Sequence, residues 1–223
     1  MTRTRRALSA VAACAVAALT ACGGDPAPDA ADSSPSPTPA STKVLGAAEC
    51  TVVPPAGKIA RSGYALRYGT GDMTVSVTPA DGTAQCVRFA KTGRPDPNVP
   101  PDTLLFTFAG DRGEGGQLEF LAVDLAGGVL PWPKDARARN PDAPITSTVG
   151  VSIDGVYYTS STCTLKLQRV TEWEASGRFD CPQAFAQSAN PLDPNDDITY
   201  DETPVPAQPP KTAKLSGLFQ VTK

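Results

Sequence analysis

Histidine is absent from all 223 residues. That absence removes Ser-His-Asp and Cys-His nucleophilic sites, histidine-ligated zinc and an imidazole base working near neutral pH. Histidine-free nucleophile motifs are missing too: there is no G-x-S-x-G, and no serine has a lysine three residues later. Lys91, Thr92, Gly93 matches a fragment of the serine β-lactamase set without its nucleophile, and reads as a turn. Long apolar runs are lacking as well. The longest, Ala7 to Leu19, falls short of the about 20 residues a membrane-spanning helix needs. Basic residues are few and scattered, and the formal charge is −3, which argues against nucleic acid or anionic lipid as a partner.

The N-terminal segment has the parts of a secretory signal: Arg3, Arg5 and Arg6, then the apolar run, then small residues. Leu19, Thr20, Ala21, Cys22 resembles the lipobox of bacterial lipoproteins. The resemblance implies a signal peptide over residues 1–21. It also implies that Cys22 becomes the first mature residue, thioether-linked to diacylglycerol and carrying palmitate-type chains. Each buried methylene contributes roughly 0.8 kcal/mol, so two or more chains hold where one would not. An ordinary signal peptide whose cleavage site precedes a cysteine is the plainer alternative. Loss of three arginines with the signal leaves 17 basic against 23 acidic side chains, a formal charge of −6, so the lipid would have to supply the membrane attachment.

From Gly23 to Lys43 there is no large apolar residue, and Pro35, Pro37 and Pro39 alternate with Ser and Thr. Such a stretch cannot build a core and reads, with Cys22, as a disordered tether over residues 22–43. At about 3.1 Å per residue it reaches roughly 65 Å. Ser and Thr beside proline could carry glycans, on composition alone.

Residues 44–223 are the right length for one domain. Their periodicity is of period two. Met73, Val75 and Val77 alternate with polar residues, Asp81–Gly82 marks a turn, and Val87 and Phe89 share a face on the return strand. Tyr64 and Tyr68 read as strand residues. Pro95, Pro97, Pro100 and Pro101 make a loop. The runs 103–108 and 117–124 read as antiparallel neighbours around a polar tip at Asp111 to Glu114. Asp154–Gly155 is a two-residue hairpin signal between 147–153 and 156–160. After Pro182 the pattern lapses, apart from a patch at Ala184 to Ala186, until it returns over 214–222 with Leu215, Gly217, Phe219 and Val221. There Gly217, Leu218, Phe219 echoes Gly177, Arg178, Phe179. Nine or ten short strands predict an all-β fold, an antiparallel sandwich or barrel.

With Cys14 removed and Cys22 acylated, four cysteines remain, enough for two disulfides in three possible pairings. Facing Cys163 with Cys181 sets Leu165 opposite Phe179 and Leu167 opposite Gly177, so one register satisfies both the bridge and the apolar pattern. That leaves Cys50 with Cys86, and Cys86 points away from the Val87–Phe89 face toward a segment lying over it. The lipobox, the tether and a β domain carrying Ser161 to Leu165 and Gly177 to Cys181 look like small surface lipoproteins of high-GC Gram-positive bacteria, including mycobacterial antigen lipoproteins. The resemblance implies a lipid-anchored protein on the extracytoplasmic face of the cell membrane, and it transfers no catalytic residue.

Two further constellations bear on function. Asp193, Asn195 and Asp197, with Asp201, have the spacing of the first calcium ligands of an EF-hand loop, but Ile198 stands where that loop needs Gly and Pro204 where it needs Glu. A solvated acidic loop is the simpler reading. Trp132 and Trp173 lie in expected loops, where each could contact a ligand or partner or fold back as a core plug. No cofactor is implied. Three functions remain: a non-catalytic envelope lipoprotein binding an apolar or envelope-derived ligand, an interaction module for another envelope protein, and a hydrolase using a pair of carboxylates.

Overall fold

Strands dominate because apolar residues recur at every second position, so each segment buries one face. The computed structural model describes residues 41–60, 66–93, 103–125, 143–193 and 211–223. The chain divides into Met1–Pro37 and Thr38–Lys223, and only the second unit contains described residues. Cys22, Tyr64, Trp132, Asn195, Asp197 and Asp201 lie outside them.

Nine strands follow in order: β1 Lys43–Leu45, β2 Thr70–Pro79, β3 Gln85–Thr92, β4 Thr103–Ala109, β5 Gly115–Leu121, β6 Ile145–Ile153, β7 Val156–Val170, β8 Glu174–Gln187 and β9 Thr212–Thr222. From β2 to β9 each strand pairs antiparallel with the next, and β9 returns to β2 through ten residue pairs, from Thr70↔Thr222 to Pro79↔Ala213. The result is an up-and-down eight-stranded barrel, which resolves the choice between sandwich and barrel. Only three pairs close β3 on β4, Ala90↔Ala109 to Thr92↔Thr107. Beyond them β1 takes over the same edge of β3, Lys43↔Arg88 to Leu45↔Cys86. The first and fourth strands thus share one line along the seam. Thr42 fixes the junction: its hydroxyl donates to Glu114 Oε2 and accepts from the Asp111 amide, while its own amide donates to Asp111 Oδ2.

Several sequence expectations need correction. The segment 156–160 and the strand that begins at Cys163 form one strand of 15 residues, and β8 runs through Pro182 as far as Gln187. Pro182 is tolerated because it falls where the β8–β9 register shifts between Cys181 and Ala184, so no ladder bond is lost. Residues 122–125 form a helical turn rather than the end of a strand. Ala122 and Leu125, three apart, both reach the core that way. Tyr68 lies outside any strand, buried at one end of the barrel, edge-on to Phe106 at 5.9 Å. The Asp154–Gly155 turn matches its signal, with φ of 50° and 73° at the two central residues.

The interior is built from aromatic rings laid over glycines. In the β8–β9 pair Gly177 faces Phe219 and Phe179 faces Gly217. A Cβ on either glycine would lie 2.9 Å from the opposing ring. The echo between the two strands is therefore an exchange, in which each strand's ring occupies the space left by the other's missing side chain. Met73 likewise reaches from β2 to Gly116 on β5, where a Cβ would meet its methyl group. Phe106 on β4 approaches Phe219 on β9 at 5.6 Å and Phe120 on β5 at 6.0 Å, so rings bridge from wall to wall.

Two disulfides complete the frame, Cys50–Cys86 and Cys163–Cys181, both as the sequence pattern predicts. Leu165 pairs with Phe179 and Leu167 with Gly177, the expected register. Cys86 faces outward and holds a strap, residues 46–60, that begins with a 3-10 turn at Ala47–Thr51 and crosses the outer wall. Arg178 donates to the Thr51 carbonyl, and farther on Ile59 bridges to Val170.

Candidate functional site

The barrel end that carries the β7–β8 turn presents the most exposed aromatic ring among the described residues. Thr171 organises that turn: its amide donates to the Glu174 carbonyl, and its hydroxyl accepts from the Trp173 and Glu174 amides. Tyr68 donates its phenol to the Thr171 carbonyl, and the Lys223 amide donates to the Trp173 carbonyl. Trp173 is held in this frame yet is 67% exposed, so it does not fold back as a core plug. The Lys223 ammonium lies 4.8 Å from its ring centroid. An exposed contact of this kind contributes only about 0.5–1 kcal/mol, too little to be the reason for exposing a Trp.

Beside the turn, a cleft of about 200 Å³ opens between the strap and the outer face of β8 and β9, lined by Pro55, Arg169, Glu174, Ala175, Ser176, Gln220, Val221 and Thr222. Strand alternation accounts for most of it. Ala175, Gly177 and Phe179 face inward, so Glu174 and Ser176 face out, paired with Thr222 and Gln220. Arg169 needs a different explanation. Strict alternation from Leu165 and Leu167 would drive its guanidinium into the barrel, but the register shifts between Leu167 and Arg169. This bulge turns Arg169 outward opposite Ser176 and leaves Val170 buried opposite Ala175.

Arg169 bonds Glu174 Oε1 at 2.7 Å and the Ala56 carbonyl at 3.3 Å, joining strap to hairpin. With side chains 31% and 42% exposed, such an ion pair contributes less than about 1 kcal/mol, so its main effect is positional. Gln220 is exposed, and its amide has no hydrogen-bonding partner among the described residues. Asp72 pairs with Gln220 across the ladder, and burial raises its carboxyl pKa against the opposing pull of Arg88, 3.8 Å away. The exposed lining of the cleft is mostly apolar; its polar groups are the paired Arg169 and Glu174, the Gln220 side-chain amide, the Ser176 hydroxyl and a Thr222 hydroxyl that is shared with Thr70.

Of the sequence candidates that lie among the described residues, Trp173 alone is in this region. Asp193 sits at the opposite end, against the β4–β5 turn at Gly113. Among the described residues no group of three or more acidic or cysteine side chains is placed to hold a metal ion. The sequence reading missed Arg169, Glu174 and Gln220. The usable signal was the broken alternation at Gln168–Arg169, because a charge at an inward position of a closed barrel demands a bulge. Compared with protein-family models, curated proteins and solved structures, the chain matches none, so the functional reading rests on its own residues.

Proposed function

We propose that this chain is a non-catalytic cell-envelope lipoprotein, tethered through acylated Cys22 on the extracytoplasmic face, that recognises an envelope component with the outside of its barrel. The observation that carries the reading is the contrast between a ring-bridged interior and a Trp held exposed at the turn next to a cleft on the outer wall. An eight-stranded barrel has room either for its own side chains or for one small ligand. Here Met73, Phe89, Phe108, Phe179 and Phe219 take up that room, each at most 2% exposed. Two disulfides suit an oxidising compartment. The missing imidazole favours binding over turnover.

Fractionation of a lipoprotein-processing bacterium expressing the full chain tests the anchor: the native chain is expected in the membrane fraction and the Cys22→Ala chain outside it. Native mass spectrometry of the Cys22→Ala chain tests the surface. A bare protein mass with two disulfides is expected, and a stoichiometric apolar adduct would place recognition in the interior instead.

A further inference from the structure

Resting on that surface reading, we infer that the cleft seats one sugar unit of an envelope polysaccharide, with a neighbouring unit stacked on the Trp173 ring. Size is the first argument. At about 200 Å³ the cleft lies below the roughly 300–1,000 Å³ of ordinary small-molecule sites. It fits one ring-sized unit of a longer chain better than a whole free ligand.

The lining is the second argument. Arg169, Glu174 and Gln220 end in planar groups with paired donors or acceptors, the geometry that engages two adjacent hydroxyls at once. Ser176 adds a hydroxyl that can both donate and accept, while the Thr222 hydroxyl is shared with that of Thr70. Because Arg169 compensates Glu174 at 2.7 Å, the cleft has little field to select an ion, and a neutral polyhydroxyl ligand suits it. A peptide strand has no place here. The backbones of β8 and β9 are paired with each other from Glu174↔Thr222 to Cys181↔Leu215, and each has a further neighbour, so no free sheet edge is offered.

Trp173 is the third argument. Its ring is a large apolar plane held by Thr171 and Lys223 immediately after the cleft-lining Glu174 and Thr222 in the ladder. The C–H face of a pyranose matches such a plane, and likewise the apolar part of the cleft wall, while its hydroxyls remain available to Gln220 and Ser176.

The test uses the full-length acylated protein in a detergent without a sugar headgroup, titrated calorimetrically with cellohexaose, chitohexaose and mannohexaose. At least one is expected to bind with a Kd of about 1 mM or tighter, its monosaccharide about tenfold or more weaker. Trp173→Ala and Gln220→Ala should each cost about tenfold or more, Trp173→Phe should restore much of the first loss, and Phe185→Ala, at the far end, should change nothing. Absence of binding at about 10 mM, or binding indifferent to Trp173 and Gln220, overturns the inference. A photo-cross-linking residue at position 55, used in cells, separates the two levels. Capture of a protease-resistant saccharide supports the inference. Capture of a protein defeats it and leaves surface recognition standing, whereas an apolar adduct inside the Cys22→Ala barrel defeats both.

Discussion

Cys163–Cys181 joins two strands that already share a hydrogen-bond ladder, whereas Cys50–Cys86 fastens a strap that has almost no ladder of its own. The first bridge lies inside the barrel wall, where the pairing of Leu165 with Phe179 and of Leu167 with Gly177 specifies the same register without it. The second lies outside, where the strap depends on arginine side chains and on three backbone hydrogen bonds to β7, from Gly57 to Gln168, from Ala60 to Val170 and from Val170 to Lys58. The wall is held by redundant packing, while the strap relies on few bonds. The cleft sits where the two meet.

The largest expected effect falls on the wall. Phe219→Ala removes a ring that fills the space over Gly177 and touches Phe106, and should cost about 3–5 kcal/mol in urea unfolding. Gln220→Ala, its outward neighbour, should stay within about 0.5 kcal/mol. Second comes the strap. The loop-entropy model assigns about 4 kcal/mol to Cys50–Cys86, with a separation of 36, and about 3 kcal/mol to Cys163–Cys181, with a separation of 18. The sharper readout is local: Cys50→Ser/Cys86→Ser should make exposed Lys58 an early tryptic site, and Cys163→Ala/Cys181→Ala should not.

Tyr68 links wall and turn, and Tyr68→Phe should cost about 1–2 kcal/mol by leaving the Thr171 carbonyl unmet. Burial raises the phenol pKa of Tyr68, with Glu174 adding to it, and burial also raises those of Tyr157 and Tyr158. The unfolded chain therefore releases these protons first, so stability should fall as pH rises past about 10, with Tyr68→Phe showing a shallower decline in urea midpoint. The smallest effect belongs to Ser147, whose buried hydroxyl has no hydrogen-bonding partner among the described residues. Ser147→Ala should be neutral or stabilise by up to about 1 kcal/mol in the same assay.

Much of the wall was legible because alternation, the Asp154–Gly155 turn and the facing of Leu165 with Phe179 are local statements. The breaks in β7 and β8 were not, since a bulge interrupts the periodicity by which a strand is recognised. Residues 156–170 therefore read as two strands, and 182–187 as loop. The cleft was the least legible part. Glu174, Gln220 and Arg169 look like ordinary outward-facing polar residues, and nothing in their spacing shows that a strap will wall them in.

The sequence by itself determined the all-β class, the strand faces and both disulfide partners, because a period of two assigns each strand side chain to one face, the facing of Cys163 with Cys181 follows from it, and Cys50 is left for Cys86 by elimination. Tertiary structure alone decided that the sheet closes, that β1 completes the line of β4, and that the strap meets Arg169 at a cleft. Closure depends on β9 finding β2 across 132 intervening residues, a pairing that local pattern permits but cannot select.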